Sequence, residues 1–227
     1  MLPWLWPISV IVLMTGLVWG LAFAPEDYQQ GNSYRIIFIH VPAASAALLG
    51  YVSMGVAGLV GLVWRMKMAD VMIRAIAPFG AVLAAIALIT GAIWGKPTWG
   101  TYWVWDARLT SMLLMLFLYL GVFALMTAIP DPRQGGRAAS VLSIVGVINV
   151  VIVKYSVEWW QSLHQGSTIR VVGESTMPGE MLAPLLISIL GVYLLFACTV
   201  LLRARTEILR RERKSQWLQD LLKKGEG

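Results

Sequence analysis

Six long apolar runs constrain this chain more than any other feature. A bilayer core about 30 Å thick needs roughly 20 apolar residues in a helix that crosses it. Runs at about 4–24, 36–64, 75–94, 109–129, 139–160 and 181–202 qualify. The breaks between them are polar or rich in Pro and Gly, most clearly at Pro25-Glu26-Asp27, Arg65-Met66-Lys67, Pro130-Asp131-Pro132-Arg133 and 173–179. Composition agrees, with 58% hydrophobic and 13% charged residues, where a soluble domain carries roughly 25% charge. The expected fold is all-α, a polytopic membrane protein with six transmembrane helices, because helices satisfy their own backbone groups in lipid.

The first run ends at Ala22-Phe23-Ala24, which has the form of a signal-peptide cleavage site. No Lys or Arg precedes it, however, and the stretch from Ile8 to Ala24 is too long for the apolar region of a signal peptide. A retained first helix is expected. Lys and Arg then set the orientation. The breaks after runs two and four, together with the segment beyond 202, carry 13 of the 18 basic residues. The other end has Arg35, Lys96, Arg108 and Arg170, and Lys154 falls within run five. Both termini are expected in the cytoplasm and the odd-numbered loops outside. The chain divides into a six-helix membrane domain, 1–202, with an outer loop at 94–111, and a basic cytoplasmic tail, 203–227. That tail also carries Ile208, Leu209, Trp217, Leu218, Leu221 and Leu222. It reads either as a helix on anionic lipid or a partner, or as a solvated extension. The net charge of +6 is gathered in loops and tail rather than spread over a face, so no nucleic-acid partner is expected.

Two histidines are present, His40 opening run two and His164 just past run five. Each alone reads as an interfacial side chain. As a pair they reach the same depth at the same membrane face, and imidazole is an axial ligand for haem iron. A single bis-histidine site is the most they can build, which excludes a multi-haem cytochrome with every haem held by two histidines. The lone cysteine, Cys198, lies in an apolar run, and there is no CxxCH for covalent haem attachment.

Between runs three and four stands a tryptophan-rich segment on the same side. Trp94, Trp99, Trp103, Trp105 and Tyr102 fall within twelve residues, with Gly95, Pro97 and Gly100 among them and Asp106 and Arg108 close behind. An aromatic belt is one reading. The other is a platform, in which flat rings stack on a planar apolar ligand while Lys96 and Arg108 meet its carboxylates. Haem combines a flat macrocycle with two propionates.

Other signals are weaker. Lys154 and Glu158 are spaced i, i+4 and would share a helix face, either as an ion pair that fixes packing or as part of a polar pathway. Ser53, Ala57 and Gly61 form a small-residue stripe suited to helix packing or a subunit contact. Residues 91–96 have too short a spacing for a phosphate-binding loop, and Pro97 stands where Ser or Thr is required.

The run Trp99-Gly100-Thr101-Tyr102-Trp103-Val104-Trp105-Asp106-Ala107-Arg108-Leu109-Thr110-Ser111 resembles the WWD signature of haem-handling proteins in cytochrome c biogenesis. With six spans and one histidine pair, the chain is similar to the cytochrome c maturation protein C (haem exporter protein C) family. The larger relatives that act as haem lyases carry additional spans and a further histidine pair. The resemblance implies a non-enzymatic haem-delivery subunit in the bacterial inner membrane, binding haem b at the periplasmic face. His40 and His164 would be its axial ligands, and Trp99, Gly100, Trp103, Trp105, Asp106 and Arg108 would line or cap the site. The implied partners are haem itself, a periplasmic haem chaperone that receives it covalently, the ATPase and membrane subunits of an ABC transporter, a small single-span accessory protein, and membrane lipid. The competing classes are a b-type electron-transfer cytochrome and a haem permease.

Overall fold

The computed structural model describes residues 2–160, 162–164, 177–217 and 219–220. Six helices are long and apolar enough to cross a membrane. They are α1 (Leu2–Val18, continued by a π turn at Trp19–Phe23), α2 (Ile37–Trp64, entered through a 3-10 turn at Asn32–Ile36), α3 (Lys67–Trp99), α4 (Ala107–Ala128), α5 (Pro132–Trp159) and α6 (Gly179–Arg211). Among the described residues there is no strand, only an isolated bridge between Asp27 and Gly31. The protein is an all-α, multi-pass membrane protein. Arg170, Leu218, Leu221, Leu222, Lys223, Lys224 and part of the 173–179 break lie outside the described residues.

Three helices outrun their apolar segments. α3 starts at Lys67, α5 at Pro132, and α6 continues past Leu202 to Arg211. Hydropathy marks where lipid ends, whereas caps mark where a helix ends. Asp131 accepts the Arg133 N–H at 2.9 Å, and Pro132 occupies the first turn, where its missing N–H costs nothing.

α2 packs against α3, α5 and α6; α4 packs on α5 and α3; α1 lies mainly against α6. Without a hydrophobic drive between helices in lipid, close packing and polar contacts hold them together. A side chain at Gly58 would sit 2.8 Å from the Ser140 carbonyl of α5, and one at Gly16 of α1 would sit 2.5 Å from the Ser188 nitrogen of α6. From the Ser53 stripe, Ala57 packs on the core and Gly61 faces Ala69 at the start of α3, so both are used within the chain. The buried Tyr119 hydroxyl donates to the Ala47 carbonyl at 2.6 Å, and Asn149 Nδ2 donates to the Ser111 carbonyl at 2.9 Å. These bonds tie α4 to α2 and α5 to α4.

At the end of the bundle away from the histidines, Glu207 of α6 is buried beneath arginines. Arg210 reaches it at 2.9 Å, Arg211 at 2.7 Å and Arg74 of α3 at 3.4 Å. Arg74 also donates to the Met126 carbonyl of α4, and Arg203 to the Ala75 carbonyl of α3. The stretch of α6 beyond Leu202 is therefore bonded to the bundle as far as Glu207.

Candidate functional site

The first turn of α2 carries His40, and one stretch of α3 receives it. The imidazole Nδ1 lies 3.1 Å from Thr90 Oγ1. Its Cε1 edge rests on Gly91, where an added Cβ would approach to 3.0 Å. Trp94 meets the ring edge-on at 5.8 Å between centroids. Trp94 is itself fixed, its Nε1–H donating to Gln30 Oε1 at 2.7 Å. Arg35 donates to the Leu21 and Ala24 carbonyls, both at 2.7 Å, closing the end of the first span onto the 3-10 turn.

α5 ends at Trp159, and His164 follows on an irregular segment. Asp106 holds this segment in place. Its Oδ1 caps α4 by accepting the Leu109 N–H at 2.8 Å, while its Oδ2 accepts the Ser162 hydroxyl. Ser162 Oγ in turn accepts the His164 backbone N–H at 3.1 Å. The two imidazole centroids come to 6.3 Å with an interplanar angle of 35°, and Trp99 lies 5.9 Å from His164.

The tryptophan-rich segment is less of a loop than its sequence suggests. Residues 94–99 are the last turns of α3, and 107–111 open α4. Gly100 adopts φ +79°, a conformation that favours glycine, and its N–H closes onto the Lys96 carbonyl at 3.1 Å to stop the helix. The irregular part is therefore 100–106. Within it Trp105 is 77% exposed and meets Trp103 edge-on at 5.4 Å. Trp103 Nε1 is buried with no hydrogen-bond partner among the described residues.

A cavity of about 460 Å³ opens between these parts. His40 and His164 line it with Trp94, Trp99 and Trp103; Ala44, Leu48, Ala87, Met112 and Val153 contribute apolar surface, and Arg108, Gln29, Gln30 and Ser33 polar groups. Of the predicted site residues, His40, His164, Trp99, Trp103 and Arg108 thus converge on one space. Gly100, Trp105 and Asp106 do not line it; the first shapes the turn, the second meets Trp103 edge-on, the third positions His164. Lys96 turns away, donating to the Gly100 carbonyl at 3.0 Å and lying 5.4 Å from the Tyr102 ring centre. Arg108 is the one predicted cation that reaches the cavity among the described residues. Among those residues no group of three or more His, Cys, Asp or Glu could hold a bare metal ion. Two imidazoles beside flat aromatic and apolar surface instead suit a metal that brings its own equatorial ligands in a planar ring.

The family model for heme exporter protein C matches residues 1–219. The chain is 54% identical over 223 residues to heme exporter protein C of Escherichia coli K12, covering 98% of this chain and 90% of that protein. It is 46% identical to heme exporter protein C of Haemophilus influenzae over 94% of this chain and 87% of that protein. For heme exporter protein C of Rhodobacter capsulatus the identity is 43%, over 95% and 89%.

The chain belongs to the heme exporter protein C family. Thr90, Gly91, Gln30 and Ser162 contact the histidines, Trp94 and Asp106, yet nothing in the sequence marks them. A hydroxyl or glycine within an apolar helix carries no signal of its own, and Ser162 is defined only by its distance from Asp106. Lys154 and Glu158 require a correction. Both are exposed on the surface of α5, with no ion pair between them within 4 Å. They form neither a packing pair nor a buried polar pathway, since each is long enough for its charge to reach the interface.

Proposed function

We propose that this protein holds haem b in the cavity, with His40 and His164 as axial ligands, and delivers it to a periplasmic haem chaperone. Membership of the heme exporter protein C family supports a haem-handling role in cytochrome c biogenesis, as a transport or delivery subunit rather than an enzyme. The observation that carries the ligand assignment is the separation of the two imidazoles. Histidine–metal bonds of about 2 Å on either side place opposed ring centres about 6 Å apart, and here they lie at 6.3 Å. That separation supports an iron held between the two rings. Trp99 and Trp103 would cover the macrocycle, and Arg108 would pair with a propionate.

The bacterial inner membrane is the proposed location, with the site on its periplasmic face. The excess of Lys and Arg at the opposite end, 13 residues against four, supports that orientation. An ABC transporter (ATPase and membrane subunits) and a small single-span protein are the proposed complex partners. The test of the site is an absorption spectrum of the purified protein. Wild type should show the low-spin bands of bis-histidine haem, and His40→Ala and His164→Ala should each lose them. Wild-type spectrum and haem content in the double variant would remove the assignment.

A further inference from the structure

Thr90 sits on α3, outside the tryptophan signature, where a hydroxyl in a membrane helix ordinarily bonds back to its own helix. It does so here, with Oγ1 2.6 Å from the Ile86 carbonyl and 3.3 Å from that of Ala87. The same oxygen lies 3.1 Å from His40 Nδ1, on the neighbouring helix. A hydroxyl has a single hydrogen and two lone pairs. The Ile86 carbonyl, which can only accept, is the nearer partner by half an ångström and takes that hydrogen. What remains towards His40 is a lone pair, so Nδ1 must be the nitrogen that donates.

This geometry points to one tautomer of a neutral imidazole. With its proton on Nδ1, the ring leaves Nε2 bare, and a bare nitrogen is the form that binds a metal. The carbonyl–hydroxyl–imidazole chain also makes the ring a stronger donor, as hydrogen bonds to metal-ligating histidines do. Gly91 and Trp94 fill the space around the ring, and the Ala87 carbonyl, one turn before Gly91 on α3, is a second acceptor within reach of it.

We propose that Thr90 is the positioning residue of the haem site. Its hydroxyl accepts the Nδ1 proton of His40 and so presents Nε2 to the iron. The role rests on the haem-binding reading above and extends it to a residue that touches no haem. It separates the two axial ligands: His40 is controlled through its ring by Thr90, His164 through its backbone by Ser162 and Asp106.

The test uses the full-length protein in nanodiscs, labelled with ¹⁵N-histidine. Two histidines give two ring-nitrogen pairs, assigned by His40→Ala. In the haem-free wild type, His40 should show a protonated Nδ1 and an unprotonated Nε2. Thr90→Val should mix the two tautomers, and Thr90→Ser, which keeps the hydroxyl, should restore the wild-type pattern. After loading with haem, Thr90→Val should release it about tenfold more readily. It should also lose about tenfold of its preference for ferric over ferrous iron, a rise of 59 mV in midpoint potential for a one-electron couple. Thr90→Ser should match wild type in both. Thr90→Ala carries the same expectations as Thr90→Val should the valine variant fail to fold. A protonated Nε2 in the wild type, or a valine variant with unchanged tautomer and potential, overturns the proposal. If wild type shows the expected tautomer but binds no haem, the haem reading fails, and the role towards iron fails with it.

Discussion

Asp106 and Ser162, 56 residues apart, share a hydrogen bond that joins the end of the tryptophan turn to the segment bearing His164. The same carboxylate caps α4 through its other oxygen. One side chain thus couples the helix start to the position of the second imidazole. The two tasks separate by mutation. Ser162→Ala removes the contact to His164 and leaves the cap, so it should weaken haem binding with little change in thermal stability. Asp106→Ala removes both, with a cap loss of about 1 kcal/mol. Equal thermal midpoints for the two variants, measured in detergent, would contradict this division.

Gly91 sets how closely α3 can seat His40. A methyl group there would lie 3.0 Å from His40 Cε1, closer than ordinary contact, so the ring must shift by a few tenths of an ångström. Gly91→Ala should lower haem affinity several-fold and broaden the Soret band, while the bundle stays folded because the cavity beside it has room. Gly91→Val should abolish haem binding. Titration of the detergent-purified variants with hemin checks the order; an alanine variant that binds as tightly as wild type would show that the ring has freedom the packing denies.

The membrane fold was legible in the sequence because lipid imposes one requirement on every span. Six apolar runs satisfied it, and six helices occupy those runs. Their true ends were not legible, since α3, α5 and α6 continue as helices into polar segments that hydropathy excludes. The site was half legible. His40, His164, Trp99, Trp103 and Arg108 announce themselves by residue type and by shared membrane depth. Lys96 looked equivalent to Arg108, yet the helix stop at Gly100 turns it onto Tyr102 instead. Thr90 and Ser162 are ordinary hydroxyls until the fold sets one beside an imidazole and the other beside a carboxylate.

Glu207 carries the third prediction. It is 7% exposed and accepts from Arg210 and Arg211, with Arg74 close by. Removing one partner of a buried charge group costs about 3 kcal/mol, because the remaining charges are left uncompensated. Glu207→Gln should therefore lower the thermal midpoint markedly and free the end of α6 to proteolysis. Arg210→Ala should do far less, because that guanidinium is 63% exposed and solvent screens it. Neither change should alter the spectrum of bound haem, since the cluster lies at the other end of the bundle.

Orientation can be read with one reporter. Cys198 is buried, so Cys198→Ala yields a background without thiols. A cysteine placed at Tyr102, 59% exposed at the histidine end, should react with a membrane-impermeant maleimide in intact cells whose outer membrane is permeabilised. One at Arg213, at the opposite end and exposed, should react only after lysis. The reverse pattern would place the histidines in the cytoplasm and overturn the periplasmic assignment.

The two neighbouring tryptophans should separate holding haem from handing it over. Trp103 lines the cavity, with its Nε1–H buried and unpaired among the described residues, whereas Trp105 does not line it and is 77% exposed. Trp103→Ala removes stacking surface and a donor that a propionate could satisfy, so haem affinity should fall at least tenfold. Trp105→Ala removes one edge-on aromatic contact, worth about 0.5–1.5 kcal/mol, so affinity should fall less than tenfold. Under the proposed function, the exposed face of Trp105 is the surface expected to meet the chaperone. Its loss should slow transfer to the purified chaperone out of proportion to the affinity change. Haem-binding titrations and single-turnover transfer, measured on both variants, decide the matter. A Trp105 variant whose transfer rate follows its affinity would make that residue a support for Trp103 and nothing more.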